Sequence, residues 1–459
     1  MKIPWFIHYY FRSLLRTVSC VLGTVFFLLT LTACTLTLDL NVGTNDRPDD
    51  SEYSLPDPSN VDDQPTNEQP TLDDDQQVRQ SAAHKYTADV VYHGGTIVAT
   101  FQLPSGDIVD FIDRDTLPAL SFGLPQVPWT AADLVPPAGV DFGVPEFDQI
   151  PEMLDLAATA TPFVRPNFWP YILGETDAVS IEDYLERYQE GGAPSGTERL
   201  HAAHVHIAPN RGITGFMNQF RPEVEPKSFS LMEFAVACPA VGPAQELVGV
   251  VISVDKLNPF GTNYHALTDG EPRMHVEYAV TDPATGKARY RWDDMGGKFV
   301  PNLFRVRHPG ERVPVSVIGG TQIEHLATIF QAPNGDWWIG FDGDLLGYYP
   351  ASLFSKSLLG DKGCSADWYG EVAWRRPAGA TGWAKTEMGS GKFPAEGIPN
   401  VAYVRNPRYY GEWWTTVDAT EPSSVASATQ KTCYTRNPLT NGILTLGGPG
   451  GKDPGCTWP

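Results

Sequence analysis

From Leu200 onward almost every apolar run in this chain is short, alternating and closed by a turn, as in "SFSLMEFAVA", "ELVGVVISV", "RMHVEYAVT", "VPVSVIGG", "HLATIFQA" and "DWWIGFD". A hydrophobic period of two sends successive side chains to opposite faces, which is the pattern of half-buried strands and not of helices. Turns are well supplied, with 43 Gly and 40 Pro among 459 residues. The residues alone therefore predict an all-β body, an antiparallel sandwich or barrel.

The region before it is different. Lys2, Arg12 and Arg16 lead into an apolar run, Val18 to Leu31, that ends in "LTAC" at Cys34. This is the layout of an export signal with a lipidation site, so residues 1–33 are expected to be a lipoprotein signal peptide and Cys34 the lipidated cysteine. The alternative is an ordinary transmembrane anchor. Thr35 follows the cysteine, which points to the outer membrane or cell surface within the cell envelope. Residues 34–80 contain almost nothing to bury and read as an acidic, disordered tether. Residues 81–196 form the next unit. It opens with a hairpin pattern in "YTADVVYHGGTIVATFQLPSGDIVDFID", with turns at Gly94-Gly95 and Ser105-Gly106. One helix follows at "SIEDYLERYQEGG", where Ser180 caps, Ile181, Tyr184, Leu185 and Tyr188 share a face, and Gly191-Gly192 stop it. "APSGT" at 193–197 marks a cleavable boundary before the body, residues 197–459.

A net charge of -22 excludes nucleic acid as a partner. Once the leader and Cys34 are set aside, four cysteines remain, an even number suited to disulfides in an exported protein. Cys433 and Cys456 enclose a short Gly-rich loop and are the expected pair, which leaves Cys238 and Cys364 as a possible second.

The chemistry-bearing residues are few. In "DWYGEVAW" a strand puts Trp368, Gly370, Val372 and Trp374 on one face and Tyr369 and Glu371 on the other. In "QELVGVVISVD", Glu246 heads an apolar row with Val248, Val250 and Ile252, where burial would raise its pKa and suit it to proton transfer. A frayed strand start that lets Glu246 reach solvent is the competing reading. His204 and His206 in "HAAHVH" share a strand face but lack a third ligand, so a polar outer face is expected and no metal. No Ser nucleophile elbow, Walker loop, dinucleotide fingerprint or catalytic-cysteine motif is present, and no cofactor is expected.

Several segments taken in order resemble the neprosin family of glutamic peptidases, first known from plants. "GDWWIGFDGDLLGYYPASLF" resembles the family's "NWWL…iGYWPssLF", and "WYGEV" stands for "WGGEV". "TEMGSGKFPAEG" and "CYTRNPLTNGILTLGGPGGKDPGC" resemble "TxMGSGxFpxeG" and "CY…GGPG…C". Upstream, "RGITGFMNQFRPEVEPKSFSL", "EPRMHVEYAVTD" and "LPSGDIVDFIDRDTLPAL" are similar to family segments, the last of them in the propeptide. The resemblance implies an antiparallel β-sandwich catalytic domain preceded by a small α+β propeptide region that covers the cleft and is removed at acidic pH. It also implies a proline-directed peptidase that uses two glutamates and a water. Glu371 falls on the second family glutamate and Glu246 on the first, in "IEaGW". The tryptophan of that motif is missing here, and Glu277 and Glu233 compete for the role. The paired cysteines of the family's "GCYNlxC" segment are also absent.

The expected protein is a monomeric, lipid-anchored endopeptidase that cuts peptide or protein substrates at acidic pH, with Tyr369, Tyr348 and Trp338 as positioning groups. Two other classes remain open: a catalytically silent surface-binding module and a glycoside hydrolase, which also uses paired carboxylates. Convergence of Glu246 and Glu371 in one cleft favours the enzyme, and divergence favours the binding module.

Overall fold

The computed structural model describes residues 95–117, 124–130, 132–164, 197–239, 245–256, 270–281, 288–292, 298–354, 357–377, 379–421, 425–428 and 430–456. All of them belong to one compact unit, Pro70–Pro459. The leader, Cys34, the tether, the 180–190 helix and the 193–196 turn lie outside the described residues.

The amino-terminal part holds β1 (Ile97–Gln102), β2 (Ile108–Asp113), β3 (Val140–Asp141), helix α1 (Pro151–Ala157) and β4 (Ala160–Val164). Strands β1, β2 and β4 form a small antiparallel sheet. Its hairpin turns where the alternation breaks: Gly106 takes φ +90° and the Leu103 N–H bonds Asp107 O at 2.8 Å. Phe111, Phe147 and Met153 fill the space between this sheet and α1.

The body begins with β5 (Thr197–Asn210), β6 (Gly212–Asn218), β7 (Ser228–Pro239), β8 (Gln245–Asp255), β9 (Pro272–Thr281), β10 (Ala288–Trp292) and β11 (Val300–Pro301). It continues with β12 (Gln322–Gln331), β13 (Trp337–Phe341), β14 (Asp344–Tyr349), β15 (Gly363–Arg375) and β16 (Ala402–Tyr410). The last strands are β17 (Thr416–Asp418), β18 (Val425–Ala428), β19 (Thr435–Arg436) and β20 (Ile443–Gly447). One sheet runs β10-β9-β8-β7-β15-β5-β18; the other runs β11-β14-β13-β12-β6-β16-β20-β19, with β17 on β16 and β3 on β12. The pairings within the body are antiparallel, and the layers make a sandwich.

Alternation decides what lies between the layers. Phe234 and Val236 of β7, Val250 and Ile252 of β8, and Trp368 and Val372 of β15 point inward. They meet Met217, Ile329, Ile339 and Leu446 of the opposite sheet. Trp368 is fully buried and its Nε1–H donates to Thr214 O at 3.3 Å, which satisfies the only polar atom that this large side chain brings into the core. Gly370, the next inward position, has no room for more: a Cβ there would lie 2.8 Å from Met388 Sδ and Leu446 Cδ1.

"VPVSVIGG" is not a strand. Pro314 removes a donor, and its neighbours bond singly to different elements: Val313 to Pro272 O, Ser316 to Gln219 O and Val317 to Thr321 O. Two disulfides are formed. Cys433–Cys456 closes the terminal loop, and Cys238–Cys364, 126 residues apart in sequence, ties the end of β7 to the start of β15.

Candidate functional site

The seven-stranded sheet carries its chemistry on the face turned away from the core. Three adjacent transverse rows, set by backbone pairing, define it. The first runs His201, Glu371, Leu231, Ser253, Arg273. The second runs Ala203, Tyr369, Glu233, Val251, His275. The third runs Val205, Asp367, Ala235, Gly249, Glu277. Glu233 is thus the diagonal neighbour of Glu371, and side chains so placed are within reach of each other.

Glu371 is 3% exposed and doubly paired. Arg199 Nη1 lies 2.5 Å from one carboxylate oxygen and His201 Nε2 lies 2.8 Å from the other. Burial pushes its pKa up, but the Arg199 charge and the His201 hydrogen bond outweigh burial and hold it below the usual carboxylate range. Arg199 also stacks over the Phe229 ring at 5.5 Å, which fixes its guanidinium.

Glu233 has the opposite environment. It is 2% exposed and its own pKa is driven well above the ordinary value by burial, then by the negative charge of Glu277. The Tyr369 hydroxyl donates to it. Burial likewise raises Glu277, to about 7, against the hydrogen bond it receives from Glu233. Burial and the Glu277 charge thus favour the protonated form of Glu233. The two carboxyls come from strands separated by β8, and they meet because β8 has no side chain there: a Cβ on Gly249 would sit 2.7 Å from Glu233 Oε1 and 2.9 Å from Glu277 Cγ. The result is an ionised carboxylate beside a protonated one, the division of states that general base and general acid require.

The structure does not bring the other expected residues here. Glu246 pairs with Cys238, seven positions along β7 from Leu231, the residue opposite Glu371. That is about 23 Å away along the strand. An odd offset also puts it on the inward side, where its carboxylate accepts the Thr281 N–H at 3.2 Å. Its role is to close a strand end, and the assignment of Glu246 as partner is replaced by Glu233 with Glu277. Glu246 and Glu371 diverge, so the convergence expected of them is not met; the carboxyls that lie near Glu371 on this face are Glu233 and Glu277. Trp338 and Tyr348 stack on each other at 4.9 Å in the other sheet, outside the central core, and do not approach Glu371. Tyr369 is in place. His204 faces inward, fully buried against Trp368, with Glu421 at 3.3 Å, so the expectation of a polar outer face for "HAAHVH" fails.

Sequence reasoning missed Arg199 and His201, although they alternate with the inward Leu200 and Ala202 at the start of β5. A cavity of about 270 Å³ lies against the other sheet, lined in part by Trp129, Thr214, Arg408 and Tyr410. Its carboxylate, Asp133, is 3.7 Å from Arg408, and the converging glutamates are elsewhere.

Residues 272–449 match the Neprosin family model, a span that includes Glu277 and Glu371. Among solved structures the chain is similar to Scytalido-glutamic peptidase with a peptide-based transition-state analogue. The likeness has 6% identity over 55% of this chain and 98% of that one, with a TM-score of 0.27. It is similar to SCP-B, a member of the Eqolisin family of peptidases in complex with the tripeptide Ala-Ile-His, at 6% identity, the same coverage and a TM-score of 0.26. A glycoside hydrolase family 16 endo-glucanase from Bacteroides ovatus shares 11% identity over 38% of this chain and 66% of that one, with a TM-score of 0.21.

Proposed function

We propose that this chain, a Neprosin-family glutamic peptidase, hydrolyses peptide bonds with Glu371 as general base and Glu233 as general acid. The observation that carries the reading is the pairing of an Arg- and His-held carboxylate with a diagonal, protonated one. Glu371 takes a proton from water, whose oxygen adds to the scissile carbonyl carbon. Glu233 hydrogen-bonds the developing oxyanion and then gives its proton to the leaving amine. Glu277 sits behind Glu233 and favours its protonated form. Tyr369 steadies Glu233 through its hydroxyl, which burial keeps protonated.

The two states coexist over a wider range than an ordinary carboxylate pair allows. The lower limit is the depressed pKa of Glu371; the upper limit is ionisation of the Glu233–Glu277 pair, in which Glu277 is raised to about 7. The optimum therefore extends from acid toward neutral pH, instead of being confined to strong acid. Cleavage after proline, processing of residues 81–196 as a propeptide, and anchorage at the cell envelope through lipid on Cys34 are parts of the same proposal. They rest on the motifs quoted above and on the leader sequence.

The test is hydrolysis of proline-containing peptides by the full chain, with Glu371→Gln and Glu233→Gln as variants. Each is expected to lose about 10²–10⁴-fold in kcat. Unchanged turnover in Glu371→Gln removes the assignment.

A further inference from the structure

Arg273 lies in the same transverse row as Glu371, on the same face of the sheet, three strands away. At about 4.8 Å per strand the separation is roughly 14 Å, or about four residues of extended peptide. Arg273 is fully buried, and a β-bridge sets Arg312 directly opposite it. Two guanidinium-bearing residues set opposite each other, one fully buried and the other 29% exposed, repel unless an anion lies between them. Glu311, next to Arg312, does not supply that charge near neutral pH: burial pushes it up to about 8.

An anion that both arginines approach is Asp107, carried by the β1–β2 turn. Its two oxygens take Arg273 Nη2 at 2.7 Å and Nη1 at 2.9 Å, the bidentate geometry typical of carboxylate recognition. Arg273 Nη1 also donates to Gly310 O at 2.7 Å, which aims the fork, and Arg312 Nε lies 3.3 Å from Asp107 Oδ2. The ligand of this site is therefore visible as a class, a peptide carboxylate, presented here at the end of a hairpin turn. That carboxylate belongs to the amino-terminal sheet and not to the sandwich.

We propose that the Arg273–Arg312 fork is a carboxylate subsite of the Glu371 face. The chain's own Asp107 occupies it in this form, and a peptide with an acidic side chain about three or four residues from the scissile bond competes for it. The inference rests on the peptidase reading for the word "scissile" only; the fork and its ligand class stand apart from it. The subsite selects acidic substrates, and the hairpin that carries Asp107 is its internal competitor.

The probes are two proline-containing peptides that differ only by Glu or Gln at that distance from proline, tested on either side of it. Their binding to full-length Glu371→Gln is followed by fluorescence anisotropy, with and without Asp107→Asn. In the Asp107→Asn background the Glu peptide is expected to bind at least about tenfold more tightly than the Gln peptide, the low end for a bidentate charge-assisted pair. Adding Arg273→Met is expected to return the ratio to about one. With Asp107 intact the preference persists at a smaller factor, a reading that does not depend on Asp107→Asn folding normally. A Glu/Gln ratio near one in both backgrounds overturns the subsite. Hydrolysis by the unmodified chain without an acidic preference also overturns it and leaves the peptidase reading standing. An acidic preference in binding with no hydrolysis of either peptide does the reverse.

Discussion

Arg199→Met isolates the group that keeps Glu371 ionised. The substitution preserves most of the side-chain length over Phe229 and removes the charge and the hydrogen bond to Glu371 Oε1. A hydrogen bond to a charged group contributes about 1.5–3 kcal/mol, and stripping one partner from a fully buried ion pair costs about 3–5 kcal/mol. Arg199 is 37% exposed, so water recovers part of the loss, and His201 remains. The low end, about 1.5–2 kcal/mol, is the appropriate figure. At 1.36 kcal/mol per unit this raises the Glu371 pKa by about one to one and a half units. The acid limb of the kcat/KM profile on a proline-containing peptide should shift upward by that amount, with at least about a tenfold rate loss below it.

Stability supplies an independent reading. The folded pKa of Glu371 lies below its unfolded value, so its contribution is present above the unfolded value, about 4.3, and is lost as pH falls through the folded value. Arg199→Met should therefore lower thermal stability near neutral pH by about 1.5–2 kcal/mol, a difference that shrinks as pH falls through the folded value. Superimposable rate profiles, together with an unfolding difference that does not vary with pH, would refute the reasoning.

Glu233→Gln reverses the sign. The raised pKa of Glu233 gives stability that is lost as pH rises through the folded value, so in pH-dependent unfolding the wild-type chain should lose more stability toward alkaline pH than the Gln variant, in which Glu277 and Glu311 still titrate. Gly249→Ala should force Glu233 and Glu277 apart, costing about 1–3 kcal/mol in denaturant unfolding and narrowing the alkaline side of the activity profile. Replacing both Cys238 and Cys364 by Ser opens a loop of 126 residues. Chain entropy sets an upper bound of about 4–5 kcal/mol on the loss, measured as a drop in Tm without reductant.

Local pattern revealed some of this and topology hid the rest. "WYGEVAW" is legible because tryptophans on one parity and a glutamate on the other leave a strand one way to lie, and Trp368 and Trp374 are buried inward as that requires. Glu246 misled because it heads an apolar row, but strand ends are where a carboxylate can satisfy a neighbour's N–H, as Glu246 does for Thr281. Glu233 and Glu277 stood only as competitors, since nothing local says that side chains two strands apart will touch. Gly249 lets them meet, and that fact belongs to the sheet and not to any one segment. His204 and His206 drew attention to the inward face of β5, whereas the partners of Glu371 are Arg199 and His201 on the other face, the latter the first residue of the same "HAAHVH".

The pairing of β7 with β15 has a last consequence, for how reliably the catalytic face assembles. Glu233 and Glu371 are diagonal because the two long strands align with Tyr369 opposite Glu233. A slip by one residue would send every carboxyl on the slipped strand into the core, and a slip by two would set Glu233 directly opposite Glu371 or carry it four positions, about 13 Å, away. The Cys238–Cys364 bond joins these same two strands at one end, beside the Ala237–Ser365 pair. Once closed, it holds β7 and β15 in the alignment that sets Glu233 diagonal to Glu371.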